Sequence, residues 1–180
     1  GDMSLEIREK MVKEGIGPLP QHQFVRRDQE WSTSDAFALC KPAPKRGNGE
    51  WVFFPGCSLS AYSPELVTKV YDYLGGKLPG TGIILNCCGA PTHCLGDYQR
   101  FKEILGKLES EAKKLGASGL LLACPDCYRT IKRNAPGLKL KSVYEIIVEN
   151  GLPEGARAST PKTFALHDSC TARGEEKIME

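Results

Sequence analysis

Residues 97–116, "DYQRFKEILGKLESEAKKLG", set apolar side chains at Tyr98, Phe101, Ile104, Leu105, Leu108, Ala112 and Leu115. This spacing has the helical period, so the side chains form one stripe, and Gly116 is a natural stop. A short apolar run lies on each side, "TGIILNCCG" at 81–89 and "SGLLLACPDC" at 118–127. Each has the length and the bounding residues of a buried strand. Strand, amphipathic helix and strand in succession make one unit, two parallel strands joined by a right-handed crossover.

The alternation extends in both directions. "WVFFPGC" at 51–57 is an apolar run closed by Pro-Gly and reads as the first strand. In "SPELVTKVYDYLGG", Ser63 is the expected N-cap, Pro64 the first helical residue and Gly75 the end, with Leu66, Val67, Val70, Tyr71 and Leu74 on one face. After the third strand come a short helix "YRTIKRNA", a fourth strand "LKLKSV", and a helix "VYEIIVEN" opened by the capping box Ser142-x-x-Glu145. "KTFALHDSC" at 162–170 reads as a fifth strand. The expected fold is α/β, a Rossmann-like parallel sheet with flanking helices.

Upstream the pattern is weak. "LEIREKMVKE" at 5–14 suits a short helix stopped by "GIGPLP", and "KPAPKRGNGE" at 41–50 is a linker signal. Residues 1–49 are therefore expected to be a linker or N-terminal extension, with Gly1 and Asp2 an expression scar ahead of Met3, and the domain itself to span 50–157. A net charge of +2 gives no reason to expect nucleic acid, and "LKLKSV" reads as a solvated strand face. No apolar run reaches the about 18 residues of a membrane span, and no export signal opens the chain. The expected location is cytoplasmic, with no direct membrane insertion and any peripheral association made through partner subunits.

Eight cysteines remain to be explained: Cys40, Cys57, Cys87, Cys88, Cys94, Cys124, Cys127 and Cys170. In a reducing compartment clustered thiols serve metal binding or redox chemistry more often than disulfides. Most lie at strand ends, in the spacing C-x29-CC-x35-C-x2-C, close to one β-α unit per interval. The carboxyl ends of parallel strands share one edge, where ligands bind, so the period of the fold gathers distant cysteines. A single zinc takes four ligands, usually from two separated pairs. Adjacent Cys87 and Cys88 diverge and more readily touch two metal atoms, as in an iron–sulfur cluster. Gly89 permits a tight turn and a close backbone approach.

"PGC" at 55–57, "CCGAP" at 87–91 and "CPDC" at 124–127 resemble the cysteine-rich CCG domain family, over about residues 51–150. That family includes the B-type subunit of heterodisulfide reductase and the iron–sulfur subunits of glycolate, lactate and anaerobic glycerol-3-phosphate oxidation systems. The resemblance implies an iron–sulfur domain of an anaerobic-type oxidoreductase that transfers electrons or reduces a disulfide. It implies Cys57, Cys87, Cys88, Cys124 and Cys127 as ligands of a 4Fe–4S type cluster, of the non-cubane form in heterodisulfide reductases; for an isolated fragment, a site that is empty or filled by zinc is the alternative. The implied partners are a ferredoxin-type iron–sulfur domain or subunit and a flavin-containing dehydrogenase or reductase subunit. "HDSCTAR" at 167–173 resembles the opening of a second copy, so 158–180 is expected to start a second, truncated CCG domain, with Cys170 a ligand of a site completed elsewhere.

Two other readings stay open. "CPDC" between a strand and a helix also fits a thioredoxin-like thiol–disulfide exchanger, and a structural zinc module is the other. "PGCSLSAYS" lacks the spaced glycines of a dinucleotide fingerprint, so no nicotinamide or flavin is expected on this chain. Cys40 reads as a bystander, Cys94 as a helix-entry thiol, His93 and His167 as loop-orienting, Tyr128 as packing, and Arg129 as a charge partner of the thiolates or a solvated residue.

Overall fold

Alternating strands and helices along 51–150 dictate how the sheet is wound. The computed structural model describes residues 2–44, 49–153, 155–156, 163, 165 and 167–175. Strands β2 (Trp51–Phe54), β3 (Gly82–Leu85), β4 (Gly119–Leu122) and β5 (Lys139–Ser142) form the parallel body of a sheet ordered β1-β3-β2-β4-β5. Phe53 lies opposite Ile83 on one side and Leu121 on the other, and Leu122 opposite Ser142. β1 (Leu39–Lys41) adds to β3 antiparallel, with Cys40 opposite Ile84.

Side chains alternate across each strand, so each strand feeds two cores. Val52, Phe54, Ile84, Leu120 and Leu122 face Phe101, Leu105 and Leu108 of α6 (Tyr98–Lys114) and Ile131 of α7 (Pro125–Asn134). Phe53, Ile83 and Leu121 face Val67 and Leu74 of α4 (Pro64–Lys77) and Val143 and Ile146 of α8 (Val143–Asn150). Phe53 and Phe54 are fully buried, each contributing about 1.5–3 kcal/mol. The result is the expected Rossmann-like α/β arrangement, a mostly parallel sheet with helices on both faces.

Local signals hold where backbone chemistry determines them. The Ser142 hydroxyl accepts from Tyr144 N–H at 3.2 Å and the Glu145 carboxylate from Ser142 N–H at 2.6 Å, completing the capping box. Gly116, at φ 74°, follows the last turn of α6. Other details differ. α4 runs past Gly75 to Lys77, and the Ser63 side chain makes no capping bond. Leu66 is exposed, because it sits about a quarter turn off the centre of the Val67–Val70–Tyr71–Leu74 stripe at 3.6 residues per turn.

The larger differences lie outside the repeated units. The helix expected at 5–14 is α1 (Asp2–Lys13). Residues 23–32, where no helix was expected, form α2 (Gln23–Ser32), which packs on α5 (Ala90–Cys94). Among the described residues, the fifth strand of the sheet is 39–41. Part of 162–170 falls outside the described residues, and 167–169 are irregular, leading to a 3-10 turn at Ala172–Gly174.

Candidate functional site

β2 and β4 are neighbours, but the chain leaves β2 towards β3 and leaves β4 towards β5, in opposite directions. The carboxyl ends of such a strand pair open a crevice, the usual ligand position in open α/β sheets. The loop after β2 turns at Gly56 and delivers Cys57 as the first residue of α3 (Cys57–Tyr62), not as the last of the strand. The loop after β4 sets Cys124 at the N-cap of α7 and Cys127 in its first turn. The loop after β3 carries Cys87 and Cys88 and turns into α5 through Gly89 in the left-handed conformation.

The five sulfurs form two joined groups. Cys57 Sγ and Cys87 Sγ are 3.8 Å apart. Cys88, Cys127 and Cys124 are linked in turn by hydrogen bonds between their thiols. Cys87, Cys88 and Cys127 are buried, and Cys57 and Cys124 half-buried. Gly56 lets the loops close: a Cβ there would lie 3.1 Å from Cys127 Sγ and 3.3 Å from Cys124 Cβ. A Cβ at Gly89 would meet Phe101 Cδ2 at 2.8 Å. Asn86 braces the pair by accepting from Cys87 N–H at 2.8 Å while its amide donates to Glu111 at 3.3 Å.

Negative charge is unevenly shared in this network. Hydrogen bonds from Cys57 and Cys88, then Gln29 and Gly89 N–H, hold Cys87 as the thiolate against the desolvation of its site. Its bond to Cys87, then burial, keeps Cys57 protonated. At Cys88 the bond with Cys127 pulls the pKa down, but the bond with Cys87 and burial together push it up. Bonds to Cys124 and Cys88, and burial, raise Cys127. Cys124 is lowered to about 7, first by Cys127 and then by the backbone N–H groups of Cys127 and Asp126. Neighbouring buried thiolates repel, so full deprotonation of the five needs a bound cation.

Cys57, Cys88, Cys124 and Cys127 line a cavity of about 450 Å³, together with Arg8, His93, Cys94, Asp126, Arg129 and Arg133. Arg129 and Arg133 stand one turn apart on α7. Arg8 of α1 donates to the Cys94 carbonyl, and Arg133 pairs with Asp2 at 3.4 Å. His93 stacks on Phe101 at 4.3 Å, and burial, before any neighbouring charge, lowers its pKa. Tyr128 is buried in the core beneath.

The structure thus brings five expected residues to one edge and leaves others out. Cys94 lines the cavity from the last position of α5, so it closes that helix instead of opening one. Cys40 is exposed on β1, and Cys170 is exposed in a turn; neither lines the cavity. Gln29, Gly56, Asn86, Arg8 and Arg133 went unnoticed in the sequence. Arg133 was readable as the i+4 neighbour of Arg129 on a helix, whereas Gln29 lies in a segment with no apolar period.

Residues 51–132 match the family described as the cysteine-rich domain, CCG. One component of the dihydromethanophenazine:CoB–CoM heterodisulfide reductase from Methanosarcina barkeri (strain Fusaro), its D polypeptide, is 27% identical over 191 residues. The similarity covers 91% of this chain and 46% of that relative, so the chain spans about half its length. No solved structure matches the chain.

Proposed function

We propose that this chain is the iron–sulfur-binding part of a multicomponent oxidoreductase, with Cys57, Cys87, Cys88, Cys124 and Cys127 as the thiolate ligands. The supporting observation is the meeting of five thiols from three loops around one crevice. Among the described residues no three His, Cys, Asp or Glu side chains gather closely enough to hold one ion. When bound, an iron–sulfur cluster of the 4Fe–4S type, cubane or not, supplies one-electron redox chemistry.

The chain's own residues hold and insulate that charge. Arg129, Arg133 and the N-terminus of α7 offset the negative thiolates, and Gly56 and Gly89 bring backbone close to them. We read the natural role as accepting electrons singly from a ferredoxin-type partner and passing them on, or spending two of them with two protons to cleave a substrate disulfide into two thiols. The relative, named as a heterodisulfide reductase subunit, supports this reading and the expectation of partner subunits; we propose a flavin-containing dehydrogenase or reductase subunit as one of them. Among the described residues no helix is long and apolar enough to cross a membrane. We place the chain in the cytoplasm, at a membrane only through such partners.

A second reading has one observation in its favour: Cys124, with its pKa lowered to about 7 at the N-terminus of α7, next to Cys127, has the form of a thiol–disulfide exchanger. The deciding experiment measures iron, acid-labile sulfide and zinc in protein purified without oxygen, with EPR before and after oxidation, on wild type and on Cys57→Ser, Cys88→Ser and Cys124→Ser. Near-equal iron and sulfide, lost alike in all three variants, is expected. Zinc at one per chain without sulfide refutes the cluster, and disulfide exchange lost only in Cys124→Ser establishes the exchanger.

A further inference from the structure

Gln29 is an unusual residue to bury. It is 1% exposed on α2, in the segment before the matched domain. Its Nε2 donates to Cys87 Sγ at 3.4 Å, and its Oε1 has no hydrogen-bond partner among the described residues. A buried carbonyl oxygen left unpaired is destabilising. Methionine or leucine would fill the same space without that cost, so packing does not account for a glutamine here. What it alone supplies is an N–H aimed at sulfur.

The residue is also held in place. The Ser32 and Thr33 hydroxyls both donate to the main-chain carbonyl of Gln29, at 3.1 and 2.8 Å. α2 packs on α5, the helix that leaves the Cys87–Cys88 loop, and β1 pairs with β3, the strand that enters it. The upstream segment is thus anchored on both sides of the loop whose sulfur it touches.

We propose that Gln29 is a positioning residue for the Cys87 sulfur, fixing it by an N–H···S bond and raising the reduction potential of the group the thiols hold. This rests on the cluster reading above. Hydrogen bonds to ligand sulfurs are among the groups that set cluster potentials, because the positive end of the N–H dipole favours the reduced, more negative state. Gln29 lies beyond the CCG match, so the upstream segment adjusts a site whose ligands lie within it.

Two measurements on the full chain test this. In the metal-free reduced protein, the Gln29 side-chain amide signal is assigned by NMR from its loss in Gln29→Leu. It is expected to move in Cys87→Ala and to stay in Cys40→Ala; a signal indifferent to Cys87→Ala overturns the contact. In the protein loaded with iron and sulfide, Gln29→Met and Gln29→Leu are expected to keep their iron and titrate at lower midpoint potential. The shift should exceed a threefold change in the oxidised-to-reduced ratio at the wild-type midpoint, while Val67→Ala, a packing control in the core on the other face of the sheet, titrates like wild type. Unchanged potentials in both Gln29 variants, or an equal shift in Val67→Ala, refute the role. If the wild type takes up no iron, the cluster reading and the potential claim fall together, and the NMR arm still decides the contact.

Discussion

Replacing Gly56 by alanine pushes a methyl group between the turn after β2 and the start of α7. The backbone there has φ 85° and ψ 157°, a region open essentially to glycine, and forcing another residue into it costs about 1–3 kcal/mol. The new Cβ would also stand 3.1 Å from Cys127 Sγ and 3.3 Å from Cys124 Cβ, so buried neighbours must yield by a few tenths of an ångström. Overpacking of this kind costs about 1–3 kcal/mol. The expected loss is therefore about 2–6 kcal/mol, a large share of the roughly 5–15 kcal/mol of an ordinary domain. Urea unfolding of the metal-free, reduced chain, followed by circular dichroism, measures it. The same variant should take up less iron, because Cys57 is driven away from Cys124 and Cys127. Gly106→Ala is the contrast: a methyl group on this exposed glycine of α6 would meet nothing within 4 Å, so alanine should stabilise by about 0.5–1 kcal/mol. A Gly56→Ala loss below about 1 kcal/mol would refute the close approach of the two loops.

Other outcomes follow from the same geometry. In the metal-free protein, alkylation of Cys124 by iodoacetamide, read by peptide mass spectrometry, should climb with pH and reach half its plateau near 7, because its pKa is lowered to about 7 and the thiolate is the reactive form. A profile still rising steeply above pH 8.5, the range of an ordinary thiol at about that pKa, would contradict the bonds to Cys124. Ser142→Ala removes the hydroxyl that caps α8 and should cost about 1 kcal/mol, with faster amide exchange over 143–150 and little change at α6.

Periodicity made the central architecture legible. The Phe101–Leu105–Leu108–Ala112 stripe and the runs on either side are local patterns, and each admits one way of being buried, so sheet type and crossover were readable before any coordinates. The cysteines could be placed at one edge for the same reason, since strand ends recur with the unit. Capping at Ser142 was readable because it is a contact between residues three apart.

Tertiary packing decided the rest. β1 is a strand because β3 presents an unpaired edge; "LCK" alone carries too few residues for a pattern. α2 is helical by virtue of its seat on α5, and its sequence, "QFVRRDQEWS", has exposed Phe24 and Trp31 and buried Gln29 and Ser32, the reverse of an amphipathic reading. The pairing of Cys57 with Cys87, and of Cys88 with Cys127, depends on Gly56 and Gly89 turning through positive φ at loops far apart in the chain. Residue types along the chain declare that thiols will meet. Which sulfur touches which, and that Gln29 touches one of them, are long-range contacts that no local period encodes.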